Sequence, residues 1–413
     1  MRMTHEPVRV TGGVDTHMDV HVAVAVCSRS QRLLGCEEFD STPAGYVKLL
    51  AWLLSFGPID AVGVEGTGSY GAGLARFLSA ERIAVIEVDR SDRKARRDQG
   101  KSDPVDAEAA ARAVLSGRAT GTPKTRDGVV ETIRVLQVVY RSAISARTAT
   151  INQFHAMVTA APAELREQLR DLRRDDQLAR ARGFRNREHD DQVATTTRQA
   201  LKALAKRVAF LTKQAEQVEA QLDVLTEQAA PALRDVHGVG THTAAALLVT
   251  VGDNPQRIRS EAALARICGV SPIPASSGKT RRHRLNRGGN RAANHALCRI
   301  ALVRRTSHPP TKAYHARRTA EGLSDREIMR CLKRYIVREI YRALTATSTL
   351  APRGSELRQR RHDLELPLRI VAEATGTHIS TLSRLERGLL HDPQLATRVH
   401  AWLHQPQEPE LAA

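Results

Sequence analysis

The chain has 413 residues, of which 41% are hydrophobic, and a formal net charge of +18. This length allows about two to four domains with apolar cores, and the charge favours nucleic acid or another polyanion as a partner. The alternative, a basic composition inherited from the genome, does not explain why the charge is clustered. Aromatic residues make up only 3%, so stacking of bases on aromatic side chains is not expected to be the main mode of binding.

The five cysteines are scattered and include no CxxC pair. This spacing argues against a zinc site and against a disulfide scaffold, and it fits a reducing cytosol. No apolar run approaches membrane-spanning length, and the N-terminus lacks a signal-peptide pattern. The sequence therefore predicts a soluble protein of the cytoplasm, without a membrane partner.

The first part of the chain, from residue 8 to about residue 125, has an α/β pattern. Three strand-like runs come first and are followed by alternating helices and strands, which is the order of ribonuclease-H-like folds. The predicted strands cover 8–14, 21–26, 32–39, 61–64 and 84–88, and the predicted helices cover 43–56 and 70–79.

Four acidic residues stand at the ends of these elements. Asp15 and Glu65 each end an apolar run, and Asp103 and Asp106 open a helix. Two like charges about 4 Å apart cost roughly 4 kcal/mol at an effective dielectric constant near 20, so a shared cluster needs a cation. Oxygen ligands favour a hard divalent ion, Mg²⁺ first, and two such ions around a phosphate support phosphodiester cleavage. Alternatively, Asp103 before a proline is only a helix cap, and Asp106 only a favourable first-turn charge.

Two long helices are predicted over 129–158 and 195–228. The second carries apolar residues at a spacing of three and four, which is a heptad seam and indicates a coiled coil. A helix packed on its own domain would show the same pattern. Residues 164–191 are rich in Arg and Asp and are predicted to be a solvated helix or a loose connection. The seam consists of Leu201, Leu204, Val208, Leu211, Ala215, Val218, Leu222 and Leu225.

A second globular region, mostly helical, begins near residue 231 with a glycine turn. Gly238 and Gly240 precede an apolar helix. Helix-hairpin-helix elements use this arrangement, because glycine lets the backbone approach a phosphate and the helix N-terminus supplies N–H donors. A plain turn between helices fits the pattern equally well.

A strongly basic loop follows, and two serines precede it. Residues 279–291 contain no acid, and Ser276, Ser277 and Gly278 come directly before them. Arginine stabilises the charge that develops when a phosphodiester is attacked, so a serine here is well placed to meet a phosphate. An ordinary loop serine is the alternative. The basic residues are Lys279, Arg281, Arg282, Arg284, Arg287 and Arg291.

The tail has a pattern of its own, after a predicted linker at 351–354. Ala372, Gly376 and the apolar pair Leu382 and Leu385 are spaced as in a helix-turn-helix. The stretch THISTLSRLERG closely resembles the Cro/CI-type (XRE) class. Its second helix would present a polar set to a major groove, unless the tail packs on the protein or a partner. That set consists of Ser380, Thr381 and Arg384.

The motifs together resemble one family. GVDTH, VEGTGSYG, KSDPVDAEAAARA, HGVGTHTAAALLVTVGD and GVSPIPASSGK…RGGNRAANHAL, in this order, resemble the DEDD transposases of the insertion-sequence-110 type over about residues 10–345. The resemblance implies a RuvC-like domain whose four acids bind Mg²⁺, and a transposase domain with a nucleophilic serine. The serine stands directly before a glycine in the family, which selects Ser277 over Ser276. The implied domains are 1–127 (RuvC-like), 128–230 (helical coiled coil), 231–348 (transposase domain) and 349–413 (linker and helix-turn-helix).

The resemblance also implies partners and a reaction. Members of the family are recombinases guided by a structured bridge RNA that pairs with donor and target DNA. They assemble as homo-oligomers, here a dimer or tetramer, with coiled-coil contacts and an active site completed between subunits, and they exchange strands through a phosphoserine. The tail is not a usual part of the family. Two other classes fit parts of the sequence: a hydrolytic RuvC-like nuclease, which needs no serine, and a DNA-binding regulator without enzymatic activity.

Overall fold

The computed structural model describes residues 8–88, 102–187, 191–279, 283–345, 354–387, 390 and 392–404. Arg281, Arg282 and residues 351–353 of the predicted linker lie outside this range. The chain divides into two compact units, Met1–Tyr341 and Arg342–Ala413, so the second unit begins a few residues before the predicted boundary at 349. Within the described ranges, no helix combines the length and apolar character that crossing a membrane requires.

The first unit begins with a five-stranded mixed sheet, in agreement with the predicted order of three strands followed by alternating helices and strands. The strand order is β3-β2-β1-β4-β5. The first three strands pair antiparallel, and β4 and β5 continue the sheet parallel to β1. The strands are β1 (Val10–Thr16), β2 (Val20–Cys27), β3 (Leu33–Asp40), β4 (Ile59–Glu65) and β5 (Val85–Val88).

Helices cover both faces of this sheet. On one face, α1 (Pro43–Ser55) and α2 (Ala72–Ala80) share a core with inward-facing strand residues such as Val14 and Val64. On the other face, α3 (Asp103–Leu115) buries Ala107 and Ala111 against the valines of β2. Because strand side chains alternate between the faces, the near-continuous apolar run of β2 is the pattern of a strand buried on both sides.

Two long antiparallel helices, α4 (Val129–Thr159) and α7 (Gln192–Ala229), follow the sheet domain. The predicted heptad seam of α7 is buried within the chain. Its N-terminal part, with Leu201, shares a core with Phe154 of α4, and Leu211 and Ala215 pack with Ala143. This arrangement is that of a helix packed on its own domain, and a coiled coil between chains remains a prediction.

The segment between these helices is helical, the first of the two predicted alternatives, but its apolar side is buried. It forms α5 (Ala163–Arg170) and α6 (Arg174–Arg182), and its apolar residues join the core of α4 and α7. A spacing of four residues between Leu165 and Leu169 gives α5 a narrow apolar stripe among many charges. The buried residues of the segment are Leu165, Leu169, Leu178, Ala181 and Phe184.

The rest of the first unit is mostly helical. Apolar side chains of its longer helices are fully buried, among them Leu247, Ile300 and Val337. Its elements are α8 (Pro231–Arg234), α9 (Thr241–Val251), a 3₁₀ turn (Pro255–Arg257), α10 (Glu261–Ile267), β6 (Ile273–Pro274), β7 (His283–Arg284), α11 (Arg291–Ser307), α12 (Pro309–Ala320) and α13 (Asp325–Thr345).

Polar contacts attach this helical part to the edge of the sheet domain. The Arg257 guanidinium lies 2.8 Å from Glu87 Oε2 at the end of β5. Lys124 Nζ donates a hydrogen bond of 2.6 Å to the Val249 carbonyl of α9. The sheet and the helical part are therefore joined by charged and backbone groups next to β5.

In the described part of the second unit, four short helices surround one apolar core. The turn between the second and third contains Gly376 at φ +63°, a left-handed conformation that favours glycine. Ala372 is buried before this turn, and Leu382 and Leu385 are buried after it. The helices are α14 (Gly354–Asp363), α15 (Leu368–Ala374), α16 (Ile379–Glu386) and α17 (Pro393–Leu403).

Candidate active site

Asp15 and Glu65 end two neighbouring parallel strands. Val14 of β1 pairs with Val64 of β4, so the two acids follow side by side at the carboxyl edge of the sheet. Gly13 and Gly63, two residues before the acids, both face α3. Because side chains alternate along a strand, Asp15 and Glu65 lie on the same face as these glycines.

Small residues let α3 lie directly on these strands. A Cβ atom on residue 13 would overlap the Ala107 carbonyl oxygen, and one on residue 63 would lie 2.8 Å from the Ala110 carbonyl oxygen. Ala107, Ala110 and Ala111 are themselves buried. This close approach brings the first turn of α3, with Asp103 and Asp106, to the strand ends.

The acidic cluster, which we define as Asp15, Glu65, Asp103 and Asp106, includes deeply buried carboxyl groups. Asp106 is 2% exposed and Asp15 8% exposed, whereas Asp103 is half-buried. The structure brings Asp15, Asp103 and Asp106 within electrostatic range of one another. Glu65 lies at the adjacent strand end with its Oε2 atom shielded from solvent.

His17 joins the cluster and was not predicted. Its Nε2 atom lies 3.2 Å from Asp15 Oδ2 and 3.4 Å from Asp103 Oδ1. One ligand atom from each of these three residues falls within 4.8 Å of the others, so they can contact a single ion. The signal was present in the GVDTH motif, because a spacing of two residues places His17 and Asp15 on one side of an extended chain.

Burial raises the pKa of Asp15 above its usual value. The neighbouring His17 counteracts this rise, and the carboxyl groups of Asp106 and Asp103 add to it. A charged Asp15 is therefore disfavoured unless a cation lies close by. Carboxylate oxygens are the ligands of hard divalent ions, and the chemistry of this donor set fits such an ion.

A cleft of about 440 Å³ opens beside the acidic cluster. Its walls include His17, Glu38, Tyr70 and Asp103. The neighbouring turn is fixed by Gly66 at φ +71°, and the Thr16 hydroxyl donates a hydrogen bond of 2.8 Å to the Glu65 carbonyl. Asp103 is the member of the acidic cluster that lines this cleft, and His17, which contacts Asp15, lines it as well.

Ser277 lies elsewhere in the fold, in an exposed loop between β6 and β7. The next residue, Gly278, has φ +55°, which explains why a glycine follows the serine. Ser276 is exposed as well, and neither serine is among the residues that line the acidic cleft. The described cations of the basic loop are all exposed: Lys279, Arg284, Arg287 and Arg291.

The predicted phosphate turn is partly occupied by acids of the same chain. Gly238 takes φ +85°, and Gly240 precedes the first turn of α9. At this helix start, Thr241 donates a hydrogen bond to Asp223, and His242 Nε2 lies 2.9 Å from Glu219 Oε1. Two carboxylates thus lie beside the helix start, where their negative charge opposes the approach of a phosphate, and the phosphate-binding turn stays a prediction.

In the second unit, α16 presents its polar residues outward. Ser380 and Arg384 are exposed, and Thr381 is half-buried. The helix is held from behind by a buried ion pair in which Arg361 Nε lies 2.7 Å from Glu386 Oε1. The three predicted contact residues are therefore accessible to a ligand to different degrees.

Comparisons with known proteins give two matching family models, one over the sheet domain and one over the serine loop. A family model described as a transposase of the DEDD, IS110 type matches residues 12–163, which include all four acids. A second model, described as the transposase IS116/IS110/IS902 family, matches residues 230–316, which include Ser277 and the basic loop.

A relative in Streptomyces coelicolor, named "Insertion element IS110 uncharacterized 43.6 kDa protein", is 32% identical over 161 residues. This match covers 38% of the present chain and 40% of the relative's length. The two family models together cover more than half of the chain, and the tail lies outside both. The chain belongs to the IS110-type family of transposases.

Proposed function

We propose that this protein is the transposase of a mobile element and cleaves and rejoins DNA strands at the acidic cluster. The observation that carries the proposal is the convergence of Asp15, Asp103 and Asp106, with Glu65 on the adjacent strand end. Acids gathered at strand ends, and the strand order β3-β2-β1-β4-β5, support a RuvC-like assignment of residues 1–127. The helical part at 128–230, the transposase domain at 231–348 and the tail at 349–413 complete the proposed division.

The acidic cluster would hold Mg²⁺ through carboxylate oxygens. When bound, divalent ions polarise a phosphate and stabilise the charge of its attacked form. Asp15 and Asp106 are buried and fixed by the contact of α3 with β1, so they are oriented before a substrate arrives. Asp103 and His17, at the mouth of the cleft, are the groups that an incoming DNA strand would meet.

Ser277 is the proposed nucleophile. Its hydroxyl would lose its proton to solvent and attack the phosphorus, forming an Oγ–phosphorus bond while the bond to the leaving sugar oxygen breaks and that oxygen takes up a proton. Attack by a strand's free hydroxyl on the phosphoserine then reverses these changes, so no ATP is needed for rejoining. A serine hydroxyl is a weak nucleophile without activation, and exposed arginines such as Arg284, Arg287 and Arg291 would neutralise the phosphate.

A joint centre requires the serine loop to approach the acidic cleft, which Ser277 does not line. The family resemblance supplies a solution, in which a second copy of the chain completes the site. A homo-oligomer, dimer or tetramer, is therefore part of the proposal. A structured guide RNA is the second partner, in keeping with the family and with the net charge of +18.

The tail would add a reader of duplex DNA. Its α15–turn–α16 geometry supports the insertion of α16 into a major groove, with Ser380, Thr381 and Arg384 facing the bases. This role would let the protein bind its element's ends or its own promoter without a guide.

The nucleophile can be tested by trapping the covalent intermediate. A suicide DNA substrate that loses a short fragment after cleavage should leave DNA attached to the wild-type protein. Ser277→Ala should give no adduct, whereas Ser276→Ala should give the wild-type amount. An adduct on Ser277→Ala would refute the serine assignment.

The position of Ser277 outside the acidic cleft favours one second candidate, a hydrolytic RuvC-like nuclease. This enzyme would need the acids alone. Cleavage that survives Ser277→Ala and leaves free 5′-phosphate ends would support it over the recombinase.

A further inference from the structure

A second cleft lies in the helical part and shares no lining residue with the cleft beside the acidic cluster. It has a volume of about 890 Å³ and is lined by residues 269–272 before β6, residues 283–286 at β7, the end of α12 and one side of α13. Glu327, Arg330, Arg334 and Arg338 line it from α13 at a spacing of three and four residues, which places them on a single helix face. A cleft of this size is in the range of small-molecule sites and can hold a nucleotide with its neighbours.

The walls of this cleft are positively charged. Six cations line it, and within the described part of the chain three glutamates compensate their charge only partly. Glu261 contacts Arg334 and Arg338, Glu321 contacts Arg318, and Glu327 lies near Arg330. The excess of cations favours a ligand with several negative charges. The six cations are Arg284, Arg318, Arg330, Lys333, Arg334 and Arg338.

An exposed aromatic ring lies among these charges. Tyr335 is 47% exposed, although the chain is poor in aromatic residues. Tyr314 supports the ring edge-on at 5.6 Å between centroids, and the Arg338 guanidinium lies 5.6 Å from its centroid. Leu285, half-exposed, lines the cleft from the β7 side. An aromatic face beside arginines is the combination on which nucleic-acid bases stack.

We propose that this cleft binds an unpaired stretch of nucleic acid, with one base stacked on Tyr335 and the adjoining phosphates on Arg330 and Arg284. A paired base is covered on both faces by its neighbours, so only an unpaired base can reach the ring. A free inorganic anion would leave the ring and Leu285 without a role. The inference rests on the proposed function, because it assumes that the protein handles nucleic acid, and it adds a binding site separate from the acidic cluster.

The test is binding of fluorescent single-stranded oligonucleotides, measured by anisotropy with the full chain carrying Asp15→Asn to prevent cleavage. A DNA and an RNA of the same sequence are compared, each beside a version with abasic positions. On this background, Tyr335→Ala should weaken binding of the base-bearing strands about tenfold, the order expected for one stacked base. It should leave abasic strands unaffected, and Tyr335→Phe should bind as tightly as the parent.

Arg330→Gln should weaken binding of all strands and reduce the log–log salt slope by about 0.7. Phe210→Ala, which removes an exposed ring of α7 outside this cleft, is the matched control and should change nothing. Tighter binding of RNA than of DNA would assign the cleft to the guide, and the reverse to a displaced DNA strand.

Equal affinity of Tyr335→Ala and its parent for base-bearing strands would overturn the stacking. An unchanged salt slope in Arg330→Gln would overturn the site even if Tyr335→Ala failed to fold. These results are independent of catalysis. Loss of binding in the cleft variants would support the binding site. Full cleavage by Asp15→Asn would contradict the proposed function without affecting that conclusion.

Discussion

Gly13 of β1 lies directly against Ala107 of α3. A Cβ atom on residue 13 would overlap the Ala107 carbonyl oxygen and lie 2.8 Å from Ala111 Cβ. The same contact sets the height of Asp106 above Asp15, because Asp106 precedes Ala107 and Asp15 follows Gly13 by two residues. The geometry of the acidic cluster therefore depends on glycine, which has no side chain, at position 13.

Gly13→Ala should move α3 away from the sheet and lower the free energy of unfolding by about 1–3 kcal/mol, the usual cost of overpacking. Thermal or denaturant unfolding measures the loss. Gly183→Ala is the matched control, since its φ of −84° suits alanine and the nearest atom would be 3.4 Å away. Equal stabilities of the two variants would contradict the close packing of α3.

Asp15→Asn should stabilise the metal-free protein at neutral pH. The raised pKa of Asp15 means that the folded state binds its proton more tightly than the unfolded state. Stability is thus lost as the pH rises from the unfolded pKa through the folded one. The advantage of the variant over wild type should be full above the folded pKa and vanish as the pH falls towards 4.

With Mg²⁺ present, wild type should become more stable than Asp15→Asn, because an ion that binds the folded state stabilises it. The unfolding midpoint of wild type should rise with Mg²⁺ concentration, and that of Asp15→Asn should hardly change. Asp60→Asn, at the opposite end of β4, should respond like wild type. A Mg²⁺ response of Asp15→Asn equal to that of wild type would exclude Asp15 as a ligand.

The free energy of unfolding should rise in alkaline solution because Lys124 loses its proton there. Its burial, together with the nearby charges of Arg257 and Arg126, lowers the pKa of Lys124 to about 8. A charged Lys124 is therefore unfavourable in the folded state, and stability should increase between about pH 8 and the unfolded pKa near 10.5, with a slope of up to about 1.4 kcal/mol per pH unit. Lys124→Met should remove this component of the slope; an identical pH profile for both proteins would show that Lys124 stays protonated.

The buried pair of Arg361 and Glu386 should hold the tail together. Their side chains are 10% and 3% exposed, so Glu386→Gln leaves a buried guanidinium without its counter-charge. Breaking such a pair costs about 3–5 kcal/mol, and limited proteolysis of the full chain should cut the tail much faster. Arg384→Ala, on the exposed side of α16, should keep the resistance of wild type and weaken duplex binding. Equal proteolysis of Glu386→Gln and wild type would contradict a structural role of the pair.

The sequence predicted the sheet well because its cause is local. The amino-acid sequence itself contains the alternating valines of β2 and the apolar runs before Asp15 and Glu65. The approach of α3 to β1 and β4 depends on small residues in all three elements, and no single stretch contains that information. The position of Asp106 against Asp15 therefore had to be inferred by analogy.

Two predictions kept alternatives open for the same physical reason, since periodicity identifies an apolar face without naming its partner. The seam of α7 indicated a coiled coil, and α4 of the same chain fills much of it. In α5, the many charges concealed Leu165 and Leu169, which are enough to dock a short helix. For His17, the sequence contains only the two-residue spacing from Asp15, whereas its second contact, to Asp103, depends on the fold.

The central claim is that the acidic cluster cleaves DNA with a divalent ion. Its most direct test is single-turnover cleavage of DNA carrying the element's ends, with and without Mg²⁺. Wild type and Asp60→Asn should cut only with Mg²⁺, and Asp15→Asn and Asp106→Asn should be slower by about 100-fold or more, the scale of losing a preorganised electrostatic group. Cleavage by both acidic-cluster variants at the wild-type rate would contradict the account.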